Sequence, residues 1–264
     1  MSNGEPPVLV SVADGVATIT LNSPQTRNAF GGDMPRALSD AYRRCDAHDD
    51  VRAVVLTGTP PAFCSGADLS KGGETFRRRD ESTFSAAAVA MTAWQVRKPV
   101  IAAVNGHAIG VGLTLALQCD IRIFAGEAKY GIVQVRRGVM GDGFSHWTLP
   151  RITGMSGAAE ILLTGKLFDG AEAKELGLCR TVLPNAEVLP AALDLARDIA
   201  LHTAPLSVAY SKTLLWQTWE HSAEEIERLE TAYHHRLMGE PDSREGVLAF
   251  LESRPPRWTG RING

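Results

Sequence analysis

The sequence predicts an α/β fold whose strands run mostly parallel and are joined by crossover helices. Residues 8–21, VLVSVADGVATITL, alternate apolar and polar side chains on either side of Asp14-Gly15, which signals a hairpin. Residues 34–48 carry apolar side chains at Met34, Leu38, Ala41, Tyr42 and Cys45, the spacing of one helix face. The run 53–56 that follows is apolar throughout, as a strand buried on both faces of a parallel sheet must be. The same order of strands and helices continues through residue 124.

Residues 57–70, TGTPPAFCSGADLS, read as a loop of small residues and prolines. Residues 71–82 are highly charged, lack apolar periodicity and are expected to form a mobile surface segment. Residues 84–96 have helical composition, and Lys98-Pro99 stops them before an apolar strand at 100–104. Asn105-Gly106 breaks that strand, and Gly110-Val111-Gly112 opens a buried helix through 113–117. A helix start leaves amide N–H groups unpaired and suits an oxygen that carries negative charge. A strand at 119–124 leads to a loop where Gln134, Arg136, Arg137, Asp142 and His146 are crowded between glycines. After Trp147 the chain reads as helices at 158–163, 171–176, 186–202, 205–219, 223–238 and 243–251, with one strand at 178–182. The expected division is an α/β core over 1–203 and a C-terminal helical region over 204–264. That region is expected to cover the site and to build an oligomer.

At 264 residues the chain fits one large domain or a domain with an extension. The formal charge of −3 offers neither a basic field for nucleic acid nor a polybasic membrane patch. No apolar run approaches the roughly 20 residues that span a bilayer. The N-terminal residues lack the pattern of a secretory signal. The four cysteines are scattered without metal-type spacing, which points to reduced thiols and a cytoplasmic location.

Four segments together resemble the crotonase superfamily, the enoyl-CoA hydratase/isomerase family. They are LNSPQTRNAF (21–30), AFCSGADLS (62–70), AVNGHAIGVGLTLALQCDIRIFA (103–125) and LTGKLFDGAEAKELGLCRTVLP (163–184). The resemblance implies a crotonase (ClpP-like) fold, with ββα units repeated into a spiral core. It also implies an acyl-CoA thioester as substrate, no separate cofactor, and a homotrimer or a dimer of trimers. The shared chemistry would be stabilisation of a thioester enolate by two backbone N–H groups, here those of Ala67 and Val111. Val111 stands where glycine is commoner. Read without the resemblance, the glycines around these positions are also what tight turns require.

Typical hydratases of the family carry two glutamates at positions held here by Thr114 and Gln134. Neither is a carboxylate, though both hydrogen-bond. Asp142 matches the acid of the family's Δ3,Δ2-enoyl-CoA isomerases. Its alternative is a helix N-cap, and the two roles are compatible. The leading expectation is double-bond isomerisation through Asp142. Hydration of a 2-enoyl-CoA, as in fatty-acid β-oxidation, is the alternative, with Asp142 and a water held by Gln134. A non-catalytic acyl-CoA-binding protein is the reading from another class. Asn28, Ala29, Ala62, Phe63, Gly66, Asp68, Gly110, Thr114, His146 and Phe250 are the expected substrate-binding positions. Asp68 is expected to brace its loop. His146 follows Asp142 by one helical turn and would share its face. No residue pattern suggests a metal.

Overall fold

The computed structural model describes residues 5–78, 80, 82 and 84–263. Strands β1 (Val8–Ala13) and β2 (Val16–Leu21) form the expected hairpin. Asp14 and Gly15 both take positive φ, as a tight two-residue turn requires. Helix α1 (Met34–Ala47) buries Met34, Leu38, Ala41, Tyr42 and Cys45, the stripe that its spacing predicts. Strands β3 (Ala53–Gly58) and β5 (Val100–Val104) are buried along their whole length. They lie at the centre of a six-stranded sheet in the order β1-β2-β3-β5-β7-β9, with β7 at Ile121–Ala125 and β9 at Thr181–Leu183. Every pair beyond the hairpin is parallel.

A second, three-stranded parallel sheet was not expected. It is made of β4 (Ala62–Cys64), β6 (His107–Ile109) and β8 (Tyr130–Gly131). Strands of two or three residues are too short for their alternation to show in sequence, so β4 had read as loop. Helix α2 (Val111–Leu117) leaves β6 directly and is buried at every position.

Residues 84–96 do not form the expected helix; among them the chain makes one 3₁₀ turn, Ala93–Gln95. Some of their backbone groups go to tertiary partners and others to a local cap, instead of to a helix ladder. Ala90 N–H donates to Ser39 Oγ (3.0 Å), and Ala86 O accepts from Gly143 N–H (2.8 Å). Thr92 N–H donates to Gln95 Oε1 (2.8 Å). Lys98, which follows this stretch, is buried and caps the end of α1. Its Nζ donates to the carbonyls of Cys45, Asp46 and His48 at 2.6–2.8 Å.

The helices beyond Trp147 fall close to the expected ranges. Helix α3 (Ser145–Thr164) starts earlier than read and is broken at Gly154, whose φ of 71° is not helical. Then come α4 (Gly170–Glu175), α5 (Asn185–His202), α6 (Pro205–Gln217), α7 (Ala223–Met238) and α8 (Pro241–Leu251). Helix α5 packs across β3, β5 and β7, burying Val188, Ala192 and Ala196 at i, i+4 and i+8. On α6, buried Lys212 pairs with Asp120 (2.7 Å), at the head of β7. It also donates to the carbonyls of Ala93 and Lys98.

Candidate active site

The small sheet positions the site. Its strands are parallel, so all three chains leave at one end, where α/β sheets bind ligands. Cys64 lies opposite Ala108, and Ile109 opposite Gly131. Ala67, Val111 and Gln134 each stand three residues beyond one of these ladder positions. The three loops therefore all start just beyond the same end of the small sheet.

Two glycines let the first two loops touch backbone to backbone. Gly66 has φ of 98°, and a Cβ on it would stand 2.8 Å from Ile109 O. A Cβ on Gly112 would stand 2.3 Å from Cys64 O. Phe30 bridges the Gly66–Asp68 turn. Its N–H donates to Gly66 O (2.7 Å) and its carbonyl accepts from Asp68 N–H (3.3 Å). In such a parallel bridge the Ala67 N–H points away from Phe30. Val111 is the first residue of α2, so its N–H has no intrahelical acceptor.

A cavity of about 670 Å³ opens beside these loops. Ala67, Asp68, Gln134 and Asp142 line it, together with the apolar side chains of Phe30, Phe76, Phe84, Val139 and Met140. Phe84 is 56% exposed and Met140 66%, so a long apolar ligand would cover surface that water now wets. Lys71, Arg77 and Arg78 add positive charge to the same wall.

Asp142 is half-buried in this wall. Burial pushes its carboxyl above the usual aspartate range, against the pull of a hydrogen bond from Gln134. Gln134 Nε2 donates to Asp142 Oδ1 at 3.1 Å, while Gln134 Oε1 is buried without a donor among the described residues. Asp142 is not the N-cap of α3. Phe144 holds that position, in a left-handed conformation, and the Asp142 side chain bonds to Gln134 instead. The turn around Asp142 is held by its neighbour: Gly143 donates to Ala86 O and accepts from Gln118 Nε2 (3.0 Å).

The other expected positions divide into lining and scaffold. Asp68 lines the cavity and braces its loop, accepting from Ser70 N–H at 2.9 Å, a bond that lowers its carboxyl's pKa. Gly110 precedes α2 with φ of 57° and lies under the Gln134 amide. Asn28 is buried, and its side chain donates to Thr59 O, Ala62 O and Phe63 O, which staples β4 to the preceding loop. Ala62 and Phe63 are buried, so their side chains meet core and not ligand; Ala29 is half-buried beside them. Thr114 was expected to touch substrate. It is fully buried, and its hydroxyl donates to Val111 O (2.9 Å) in its own helix. Gly143 packs against it so closely that a Cβ would lie 2.5 Å from Thr114 Oγ1. His146 was expected on Asp142's face, but Asp142 lies outside the helix and His146 is exposed on its first turn, away from the cavity wall. Phe250 is 82% exposed on α8 and does not line the cavity. Arg136 and Arg137 are exposed, and Arg136 Nε donates to Thr164 O.

Reading from sequence missed the wall built by Lys71, Thr75, Phe76, Arg77, Arg78, Phe84 and Ala86. Most of it comes from the segment 71–82 that had read as mobile surface; Arg79, Glu81 and Thr83 lie outside the described residues. The signal present was a pair of phenylalanines, Phe76 and Phe84, flanking a run of charge.

Comparison with known proteins decides the family. The family model described as enoyl-CoA hydratase/isomerase matches residues 11–261. The chain belongs to that family. A crystal structure of a probable enoyl-CoA hydratase/isomerase from Mycobacterium abscessus is 52% identical and superposes with a TM-score of 0.93, covering 96% of this chain and 99% of that one. Enoyl-CoA hydratase from Bacillus anthracis superposes at 0.90 with 28% identity, over 97% and 100% of the two chains. The enoyl-CoA hydratase ACTT3 of Alternaria alternata is 38% identical over 248 residues, 93% of this chain and 83% of its own. The fold is thus the crotonase fold, and the chain is an enzyme of the hydratase or isomerase type.

Proposed function

We propose that this enzyme isomerises the double bond of an enoyl-CoA, moving one proton with Asp142. The observation that carries the reading is a half-buried Asp142 in the cavity wall whose side-chain partner is an amide, Gln134, at a position where a hydratase carries glutamate. Gln134 Nε2 donates to one of the two carboxylate oxygens, Oδ1. Thr114, at the other position where a hydratase carries glutamate, is sealed beneath Gly143. In the proposed step the carboxylate takes a proton from C2 of a 3-enoyl-CoA. The thioester oxygen becomes an enolate oxygen between the Ala67 and Val111 amides. The same carboxyl returns the proton at C4, which moves the double bond into conjugation. Loss of one such preorganised donor costs about 2.7–4 kcal/mol of transition-state stabilisation. Apolar Phe76, Phe84 and Met140 suit the acyl chain, and Lys71 and Arg77 suit the phosphates of CoA.

A second reading, hydration, is favoured by one observation: the unpartnered Gln134 Oε1 beside Asp142 is an acceptor that a water can fill. Relatives such as ACTT3 are also named enoyl-CoA hydratases. Asp142→Asn keeps the shape and removes the proton carrier, so isomerisation of a 3-enoyl-CoA should fall by roughly 10²–10⁴. Crotonyl-CoA hydration should be slow in the parent protein. Fast hydration that survives Asp142→Asn would overturn both the reaction and the residue. Calorimetry should find acetoacetyl-CoA bound more tightly than free acetoacetate; binding without turnover of any enoyl-CoA would make the chain a carrier instead.

The proposal extends to assembly and location. Helix α7 buries none of its residues fully and presents an amphipathic face, which supports a homotrimer or a dimer of trimers built through residues 204–264. Light scattering tests this, and a monomer at micromolar concentration would exclude it. Four buried, unpaired cysteines support a reducing, cytoplasmic location.

A further inference from the structure

We propose that Gln118 is a positioning residue that fixes Asp142 relative to the oxyanion donor of the same helix. The inference rests on the role of Asp142 proposed above. Gln118 is the residue after α2, fully buried, and reaches across to the turn that carries Asp142. Its Nε2 donates to Gly143 O at 3.0 Å in a buried hydrogen bond. One helical turn earlier, Thr114 forms the floor under the same glycine. Gly143 takes φ of 56°, and any side chain there would collide with Thr114 Oγ1. The far side of the turn is closed by the Gly143 N–H to Ala86 O bond, 2.8 Å. Asp142 is therefore held from two sides through its neighbour, and one of the two sides is α2.

The other end of α2 supplies the Val111 amide. One rigid helix thus sets both the group that holds the enolate oxygen and the turn that presents the acid. Proton transfer from carbon needs those two in fixed relation, since small displacements of reacting groups cost orders of magnitude in rate. The chemistry of Gln118 points the same way. Its Oε1 is buried without a donor among the described residues, which costs folding free energy. A methionine would fill the space without that cost, so the amide is better explained by its one made bond, to Gly143.

Gln118→Met removes the donor and keeps length; Gln118→Glu keeps shape and turns an oxygen toward Gly143 O. The substrate is 3-hexenoyl-CoA, or crotonyl-CoA if that is what the parent enzyme converts. Each variant should lower kcat roughly 10- to 100-fold with KM held within about threefold, because the loss lies in the transition state. Thermal unfolding of Gln118→Met should match the parent. In an Asp142→Asn background, adding Gln118→Met should change kcat by less than about twofold, because both act through one carboxyl. A slow Asp142→Asn enzyme with a fully active Gln118→Met overturns the Gln118 assignment alone. Full additivity of the two losses does the same, as does failure of both Gln118 variants to fold, which makes the residue structural. An Asp142→Asn enzyme of undiminished activity overturns the functional reading itself.

Discussion

Asp142 shows how one residue's setting decides its chemistry. A carboxyl on an open surface would be ionised near pH 4 and would be a weak base for a carbon acid. Here burial raises its pKa above that ordinary value, and the Gln134 amide only partly offsets the rise. In the proposed reaction Asp142 must be ionised to take the proton, so activity should fall as pH drops through this raised pKa. The acid limb of kcat/KM, which reports the free enzyme, is expected at a midpoint above 3.8. It should move up when Gln134→Leu removes the hydrogen bond that favours the charged form. A pH profile on both proteins checks this; a limb at or below 3.8 in the parent, or an unmoved one in the variant, contradicts the assignment. The carboxyl was legible in sequence as a match to a family position. Its burial and its Gln134 partner were not, because both depend on how residues 134–142 fold back on themselves.

At the scale of elements, the site depends on the closeness of α2 and β4. Gly112 sits against the Cys64 carbonyl with no room for a methyl group. Gly112→Ala must push the start of α2 away, and overpacking of this kind costs about 1–3 kcal/mol. The same shift moves the Val111 amide, so the rate should fall by more than stability alone explains. Urea unfolding and kcat of the folded variant separate the two effects. Gly73→Ala, where a Cβ meets nothing within 4 Å, is the control and should be close to neutral. Gly110-Val111-Gly112 was visible in sequence as a helix start. The neighbour that makes Gly112 obligatory belongs to a three-residue strand some fifty positions earlier, and no local pattern announces it.

Across the whole molecule, the C-terminal helices are fastened to the sheet by polar groups as well as apolar ones. Lys212 of α6 brings a buried ammonium to Asp120, and Trp216 donates to the same carboxylate (2.7 Å). Trp216 also stacks on Trp147 of α3 and lies 5.4 Å from Trp94, centroid to centroid. Removing one partner of a buried ion pair leaves the other uncompensated, so Lys212→Met should destabilise by about 3–5 kcal/mol. Denaturant titration measures it, and Asp120→Asn with Lys212→Met should recover part of the loss. A Lys212→Met protein as stable as the parent would mean that the pair adds nothing to the joint. The tail is held similarly. Asp242 accepts from the N–H groups of Thr259 and Gly260, and Asn263 bonds the last carbonyls of α1.

Local order along the chain was enough for the hairpin, α1, the two central strands and the long helices after α3. Each buries a face through its own repeat, period two or 3.6, and that repeat is written in consecutive residues. Family membership was equally legible, because four motif segments keep their order whatever their contacts. Other features depended on partners far away in sequence. The helix expected at 84–96 is absent because Ser39 and Gly143 take its backbone groups. The small sheet exists because three short segments meet in register, none of them a convincing strand alone. Thr114 left the site and Phe76, Phe84 and Met140 entered it for the same reason. Whether a side chain meets ligand or core is set by what packs against it, and that is a property of the folded chain.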